Sequence, residues 1–294
     1  MDRYIQDNNE IVNISILLSE RSRLKNKSGI CNAEVLSIFD QLCQFEFGRF
    51  LIKNKKIDAF WTNELVTWTK DNNRELHPLE KLMFTKLPLT LATRERYHIF
   101  CEKIKKNLPK NGWVASIPCG LMRDVLNFSN MTDARFLGID LDGDALSQAK
   151  YLATHLGVLE KTILIKGDAW DMTYIDTFDM ITSNGLNIYE PSDKKIVELY
   201  SLFYKALKDG GVLIISFLKP PSLDINHKSE QCNFNLDKEA LRVQNIIFEN
   251  IIGSHWVVTR TEENTINQLQ LAGFKSFDII YDQMGLFPTV IAKK

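Results

Sequence analysis

The chain has 294 residues, 45% of them hydrophobic, enough to bury one large core or two modest ones. Lys plus Arg number 36 against 37 for Asp plus Glu, so no basic field marks a partner for long nucleic acid. The five cysteines, Cys31, Cys43, Cys101, Cys119 and Cys232, are odd in number and lack C-x-x-C spacing, which argues against a disulfide framework and a structural metal and fits a reduced, cytoplasmic setting.

The N-terminus opens with Asp2, Asp7 and Glu10 before a short apolar patch, and no window reaches the ~18 apolar residues of a membrane span. Neither a signal peptide nor an anchor is expected. Residues 1–108 read as helix throughout, at about 10–26, 32–54, 57–70 and 90–107. The second is the strongest. Asn32 suits an N-cap, and Val35, Phe39, Leu42, Cys43, Phe47, Phe50 and Leu51 recur at helical spacing as one stripe about five turns long. In the last, Tyr97, Phe100, Ile104 and Leu108 keep register, and Pro109 and Gly112 stop it. Arg94 and Arg96 lie on that helix, and Arg94 is a candidate for meeting a carboxylate on a substrate.

From Pro109 onward strands and helices alternate as a doubly wound sheet requires. Strands are expected at about 113–117, 135–139, 162–166 and 178–182. Helices begin near Met122, at Asp142 as N-cap and near Pro191, the last running to Lys208. Asp209, Gly210 and Gly211 then turn the chain into a fifth strand, VLIISFL. A final helix from Thr261 to Gly273 precedes two closing strands, FKSFDIIYD and LFPTVIAKK. Between the fifth strand and that helix lie residues 219–260, far longer than a minimal link. A helix from about Asp237 is expected there, facing the N-terminal helices as the second wall of a substrate chamber, with His255 and Trp256 as contact candidates.

WVASIPCGLMRDVL places a tight turn between the first strand and the next helix, so main-chain N–H groups and a helix dipole would face whatever lies above the strand. FLGIDLDGDAL then ends its apolar run at Asp140, TILIKGDAWD ends at Asp168, and FDMITSNGLNIYEPSD follows. Together these motifs resemble those of the class I S-adenosylmethionine-dependent methyltransferases, over roughly residues 109–294. The resemblance implies a doubly wound, mostly parallel seven-stranded α/β sheet with its last strand antiparallel. It further implies a helical cap at 1–108 and a cofactor domain at 109–294 with an insertion at about 219–260.

By the same resemblance, S-adenosylmethionine is the cofactor. Pro118, Cys119 and Gly120 hold its amino-acid end, Asp140 its ribose hydroxyls and Leu141 the adenine face. Asp168 and Ala169 take the adenine edge, and Asn184 sits in the loop after the fourth strand. Only Gly120 keeps a glycine of the family's first turn. Ser116 stands in place of its acid, and Pro118 and Met122 in place of its other glycines.

The implied activity is methyl transfer to an O- or N-nucleophile of a small molecule, with Arg94, Tyr189 and His255 as substrate contacts. A general base is not required; His98, His255 and Glu190 are the residues that could serve. The Asn-Pro-Pro-aromatic loop of amide and adenine-amine methylators is absent at 183–186, and a catechol-type metal site has no carboxylate cluster to hold it. A dinucleotide site would need G-x-G-x-x-G, which PCGLMRD is not. The competing possibility is a scaffold of the same fold that has lost catalysis. Sequence leaves the acceptor and the oligomeric state open.

Overall fold

A computed structural model describes residues 8–25, 32–69, 75–220, 237–253 and 258–294. The chain forms two compact units: residues 1–91 with 235–255, and residues 92–234 with 256–294. Among the described residues, no helix is long and apolar enough to cross a membrane.

The first unit is helical. It contains α1 (Asn8–Lys25), α2 (Asn32–Leu42), α3 (Glu46–Asn54), α4 (Ala59–Thr67), α5 (Pro78–Thr85) and the start of α6 (Pro88–Asn107). The single five-turn helix expected over 32–54 is two helices. Gly48 explains the break, because a Cβ there would fall 2.1 Å from the Leu42 carbonyl oxygen, closer than any side chain tolerates. The chain bends at Phe45 in extended backbone, which lets Leu42, Phe45, Phe47 and Leu51 all bury. Phe47 stacks on Trp61 at 4.6 Å and meets Phe84 edge-on at 5.8 Å, so three helices share one aromatic centre.

The segment after the fifth strand belongs to this same core. Asp237 caps α10 (Lys238–Asn245) by accepting from the amides of Glu239 and Ala240. The chain continues as a π-helical stretch, Ile246–Ile252, and stops at Gly253 with φ 73. Ala240, Val243, Ile246, Ile247, Ile251 and Ile252 pack with Phe39, Leu42 and Trp61. Gln244 accepts from the Leu89 amide at 2.7 Å, and Lys55 and Arg23 both donate to the Ile251 carbonyl. This corrects the expectation of two facing walls: shared burial makes the N-terminal helices and residues 237–253 a single body. His255 and Trp256 lie outside the described residues.

The second unit is built on a seven-stranded sheet. It comprises β1 (Trp113–Ser116), β2 (Arg135–Asp140), β3 (Thr162–Lys166), β4 (Phe178–Asn184), β5 (Leu207–Ser216), β6 (Ser276–Ile280) and β7 (Thr289–Lys293). The order is β3-β2-β1-β4-β5-β7-β6. The first five strands pair in parallel, and β7 runs antiparallel to both β5 and β6. Val114, Ala115, Met180, Ile181, Leu213 and Ile214 are fully buried, as strands covered on both faces require. Helices α7 (Arg123–Leu126), α8 (Gly143–His155), α9 (Asp193–Ala206) and α11 (Glu262–Ala272) connect them.

Three boundaries differ from expectation. α7 is only four residues long, so its dipole is too small to act on a ligand, and the first turn must work through its amides. α9 begins after Pro191, because the Ser192 hydroxyl caps it by accepting from the Lys195 amide. The expected turn at Asp209–Gly211 is instead an irregularity inside β5: Phe178 pairs with Leu207 and Met180 with Val212, and Gly210 takes φ 75 between them.

Candidate functional site

The order reverses between β1 and β4, where chains of this topology bind ligands beyond the strand ends. The turn after β1 is held from both sides. Ile117 donates to the Thr182 carbonyl of β4 at 2.8 Å, and Cys119 to the Ile139 carbonyl of β2 at 2.9 Å. Gly138 makes that second contact possible, since a Cβ there would lie 3.0 Å from the Cys119 sulfur. The missing glycines of the turn are therefore partly replaced by one on the neighbouring strand.

Gly120 takes φ 49 and Met122 φ 56, so a methionine occupies the left-handed conformation usually left to glycine. That conformation costs roughly 1–2 kcal/mol for an L-residue. The Met122 side chain is 1% exposed and packs with Val125, Phe136 and Phe100, which offsets the cost and fixes the path of the turn.

Asp140 ties the site together. Its Oδ2 accepts from the Gly120 amide at 2.8 Å and its Oδ1 from the Asp142 amide at 3.0 Å. The Gly167 amide donates to its main-chain carbonyl at 3.0 Å, bringing the end of β3 into the same network. Asp142 caps α8 by accepting from the Asp144 amide at 2.9 Å. Beside Asp140, Leu141 is an apolar side chain 65% exposed. Asp168 accepts from the Trp170 amide at 3.0 Å and heads a short 3₁₀ turn in which Ala169 is buried. At the end of β4, Asn184 accepts from the buried Ser216 hydroxyl at 3.0 Å. Pro118, Cys119, Gly120, Asp140, Leu141, Asp168, Ala169 and Asn184 thus occupy the ends of the four adjacent strands β3-β2-β1-β4.

The substrate candidates fare unevenly. Tyr189 lies in the loop after β4 and is 58% exposed. Arg94 is half-buried on α6. His255 is outside the described residues. Of the possible bases, His98 is exposed, with its ring against Tyr97, and Glu190 accepts from the Ser192 amide at 2.7 Å as part of the entry to α9.

Two arginines with no role assigned from sequence both meet the loop after β4. Arg260, 3% exposed, donates to the carbonyls of Asn187 and Glu190, each at 2.6 Å, and to the Asp193 carboxylate at 3.1 Å. Arg96, 9% exposed, stacks over the Phe287 ring at 4.3 Å. Nothing local marks Arg260, which stands in a connecting segment just before the Thr261 cap. Arg96 carried a legible signal: with Ala92, Phe100 and Ile104 it repeats every fourth residue on the buried stripe of α6.

Asp124 on α7 is 9% exposed, and burial pushes its carboxyl up to about 6, against the pull of its own amide and that of Val125. The folded chain therefore binds this proton more tightly than the unfolded one, and stability should fall as pH rises from about 4 to about 6. Asp124→Asn should remove that fall and stabilise the protein at pH 7 by about 3 kcal/mol, taking about 1.4 kcal/mol per pH unit. Denaturant melts of both proteins at pH 4.5 and pH 7 test this, and parallel pH profiles would show the carboxyl to be ordinary.

A groove of about 470 Å³ between α9 and α11 is lined by Asp193, Lys194, Val197, Glu198, Asn264, Asn267, Gln268 and Leu271. It lies between two helices on the flank of the sheet and includes none of the strand-end residues.

Residues 114–211 match the family model described as a methyltransferase domain. A crystal structure from Bordetella parapertussis, described as a possible exported protein, is 36% identical over 97% of this chain and 96% of its own, with a TM-score of 0.86. The second unit has the fold of the class I S-adenosylmethionine-dependent methyltransferases, and a methyltransferase domain lies within it. Sterol 24-C-methyltransferases from Pneumocystis carinii and Saccharomyces cerevisiae are 31% and 24% identical over 34% and 43% of this chain. The chain matches only 26% and 31% of the length of those two relatives. A Nostoc punctiforme structure provisionally described as an O-methyltransferase covers 88% of this chain and 72% of its own at 16% identity and a TM-score of 0.53, a likeness of fold. S-adenosylmethionine is the cofactor of methyltransferases of this fold, and the matched residues 114–211 include all four strand ends described above.

Proposed function

We propose that the protein transfers the methyl group of S-adenosylmethionine to an oxygen or nitrogen of a small-molecule acceptor. The observation that carries this is the Asp140 carboxylate, which joins the first turn to the end of β2 through Gly120. Each of its oxygens has accepted one amide, and an ionised carboxylate offers about four lone-pair sites. Room remains for both ribose hydroxyls. The exposed Leu141 supplies the apolar surface an adenine face needs, Asp168 and Ala169 the adenine edge, and Pro118, Cys119 and Gly120 the amino-acid end. Asn184 would then stand where methyl donor and acceptor meet.

When bound, the cofactor supplies a methyl group already activated by positive sulfur. What the chain contributes is position: holding the acceptor's lone pair in line with the C–S bond can supply about 7–11 kcal/mol. The acceptor's proton leaves as the new bond forms, to water or to a nearby base. The ordered turn at Met122 supports this function over that of an inactive scaffold, because the backbone keeps a left-handed conformation there without its glycine.

S-adenosylmethionine at about 100 times its Kd should raise stability by about 2.7 kcal/mol. Thermal melts with S-adenosylmethionine and S-adenosylhomocysteine, followed by methyl-label transfer into a metabolite pool, test the proposal. Neither a shift nor a calorimetric heat at millimolar cofactor would remove it.

A further inference from the structure

The loop after β4 faces a charge that none of the cofactor stations uses. Arg96 is 9% exposed, and neither its Nε nor its Nη1 has an acceptor. Those two nitrogens carry three N–H groups between them. Burial pulls the guanidinium down to about 10, opposed by Tyr189 and Asp282, so it remains cationic at neutral pH. Asp282 makes no hydrogen bond to it. That carboxylate, 1% exposed, accepts instead from the amides of Met284, Leu286 and Phe287 at 3.1, 3.3 and 2.6 Å.

A buried cation whose donors go unmade is destabilising, and it becomes favourable when an oxyanion supplies the acceptors. Gly185 packs beside Nη1, where a Cβ would lie only 3.3 Å from that nitrogen, so a larger residue there would crowd the guanidinium. Sheet order says which ligand would meet it. Arg96 touches the segments that follow β4 and precede β7, whereas Asp140 and Asp168 end β2 and β3 on the other side of the switch between β1 and β4. The guanidinium therefore belongs to the half of the site where the acceptor sits.

We infer that Arg96 recognises an anionic oxygen group, a carboxylate or a phosphate, on the methyl acceptor. The word acceptor rests on the methyl-transfer function proposed above; the anion site does not.

Benzoate and inorganic phosphate serve as probes, titrated by calorimetry into the full chain with and without S-adenosylhomocysteine, and benzamide is the neutral control. At least one anion should bind while benzamide does not. Arg96→Met should weaken that binding by ~10- to 100-fold, and Arg96→Lys should recover part of it. Replacing an unpaired buried charge by an apolar side chain should leave the ligand-free melting temperature unchanged or raised, which a merely structural arginine would not do. S-adenosylhomocysteine and methylthioadenosine should each bind Arg96→Met as tightly as the parent.

Three results would overturn the inference: no anion binding to the parent, equal anion binding by Arg96→Met, or loss of S-adenosylhomocysteine affinity with methylthioadenosine unaffected. The last would assign Arg96 to the cofactor's own carboxylate. Failure of S-adenosylhomocysteine to bind the parent, with anion binding intact, would sink the methyl-transfer function and leave the anion site standing.

Discussion

Arg260→Ala should destabilise the second unit by about 3–6 kcal/mol, because the carbonyls of Asn187 and Glu190 would each lose a charged hydrogen bond worth ~1.5–3 kcal/mol. Asn187 is 4% exposed, so water cannot readily replace the lost donor. The partner carboxylate of Asp193 has a side chain 64% exposed and also accepts from Gln268 at 2.8 Å, so its share of the loss is small. Arg260→Lys keeps the charge but offers a single ammonium where a planar fork spans two carbonyls and a carboxylate, and it should recover less than half of the loss. The effect should be local as well as global. Hydrogen exchange should quicken over 186–193 and at Val258, whose amide donates to the Ile188 carbonyl at 2.8 Å. A melt within about 1 kcal/mol of the parent, with unchanged exchange in that loop, would mean the carbonyls find other partners and Arg260 does not pin it.

What sequence could and could not reveal follows from the range of the interactions involved. The alternation of apolar runs with capped helices is local, so the strand ends, the Asp142 and Thr261 caps and the stop at Gly273 were all legible. The break between α2 and α3 was not, because the periodic stripe continues across it and the tight turn rests on the approach of Gly48 to Leu42, which only a glycine permits. The first turn misled in another way. Counting glycines at 118 and 122 suggests a damaged loop, yet the conformation is held by Met122 in a left-handed backbone and by Gly138 on the next strand. Arg260 sits in a connection, and its three partners come from a loop nearly seventy residues earlier, a pairing no pattern encodes. Arg96 was visible as a charge on an apolar stripe, but the ordinary assumption that arginine faces solvent draws the eye to Arg94 instead.

Asp140→Ala should weaken S-adenosylmethionine binding by roughly 10- to 150-fold, since a charged acceptor lost to two ribose hydroxyls costs ~1.5–3 kcal/mol at 1.4 kcal/mol per decade. Folding should feel the loss as well. The carboxylate also accepts the Gly120 and Asp142 amides, so its removal frees the first turn from β2 as well as emptying the proposed ribose position. Both amides lie in half-exposed or exposed backbone where water can reach them, so the stability cost should be modest, about 1–2 kcal/mol. Asp140→Asn separates the two roles. One amide oxygen can still accept from a single backbone N–H, while the amide nitrogen, itself a donor, cannot receive the other, so half the tether and most of the hydroxyl grip should go. Asp142→Ala supplies the contrast: the Asp144 amide loses its cap at about 1 kcal/mol of stability, and cofactor affinity should hold. Calorimetry and denaturant melts on the three variants decide between them. Cofactor binding that survives Asp140→Ala but fails in Asp142→Ala would move the ribose to the next turn of the loop, and the tether through Gly120 would then be a purely structural contact.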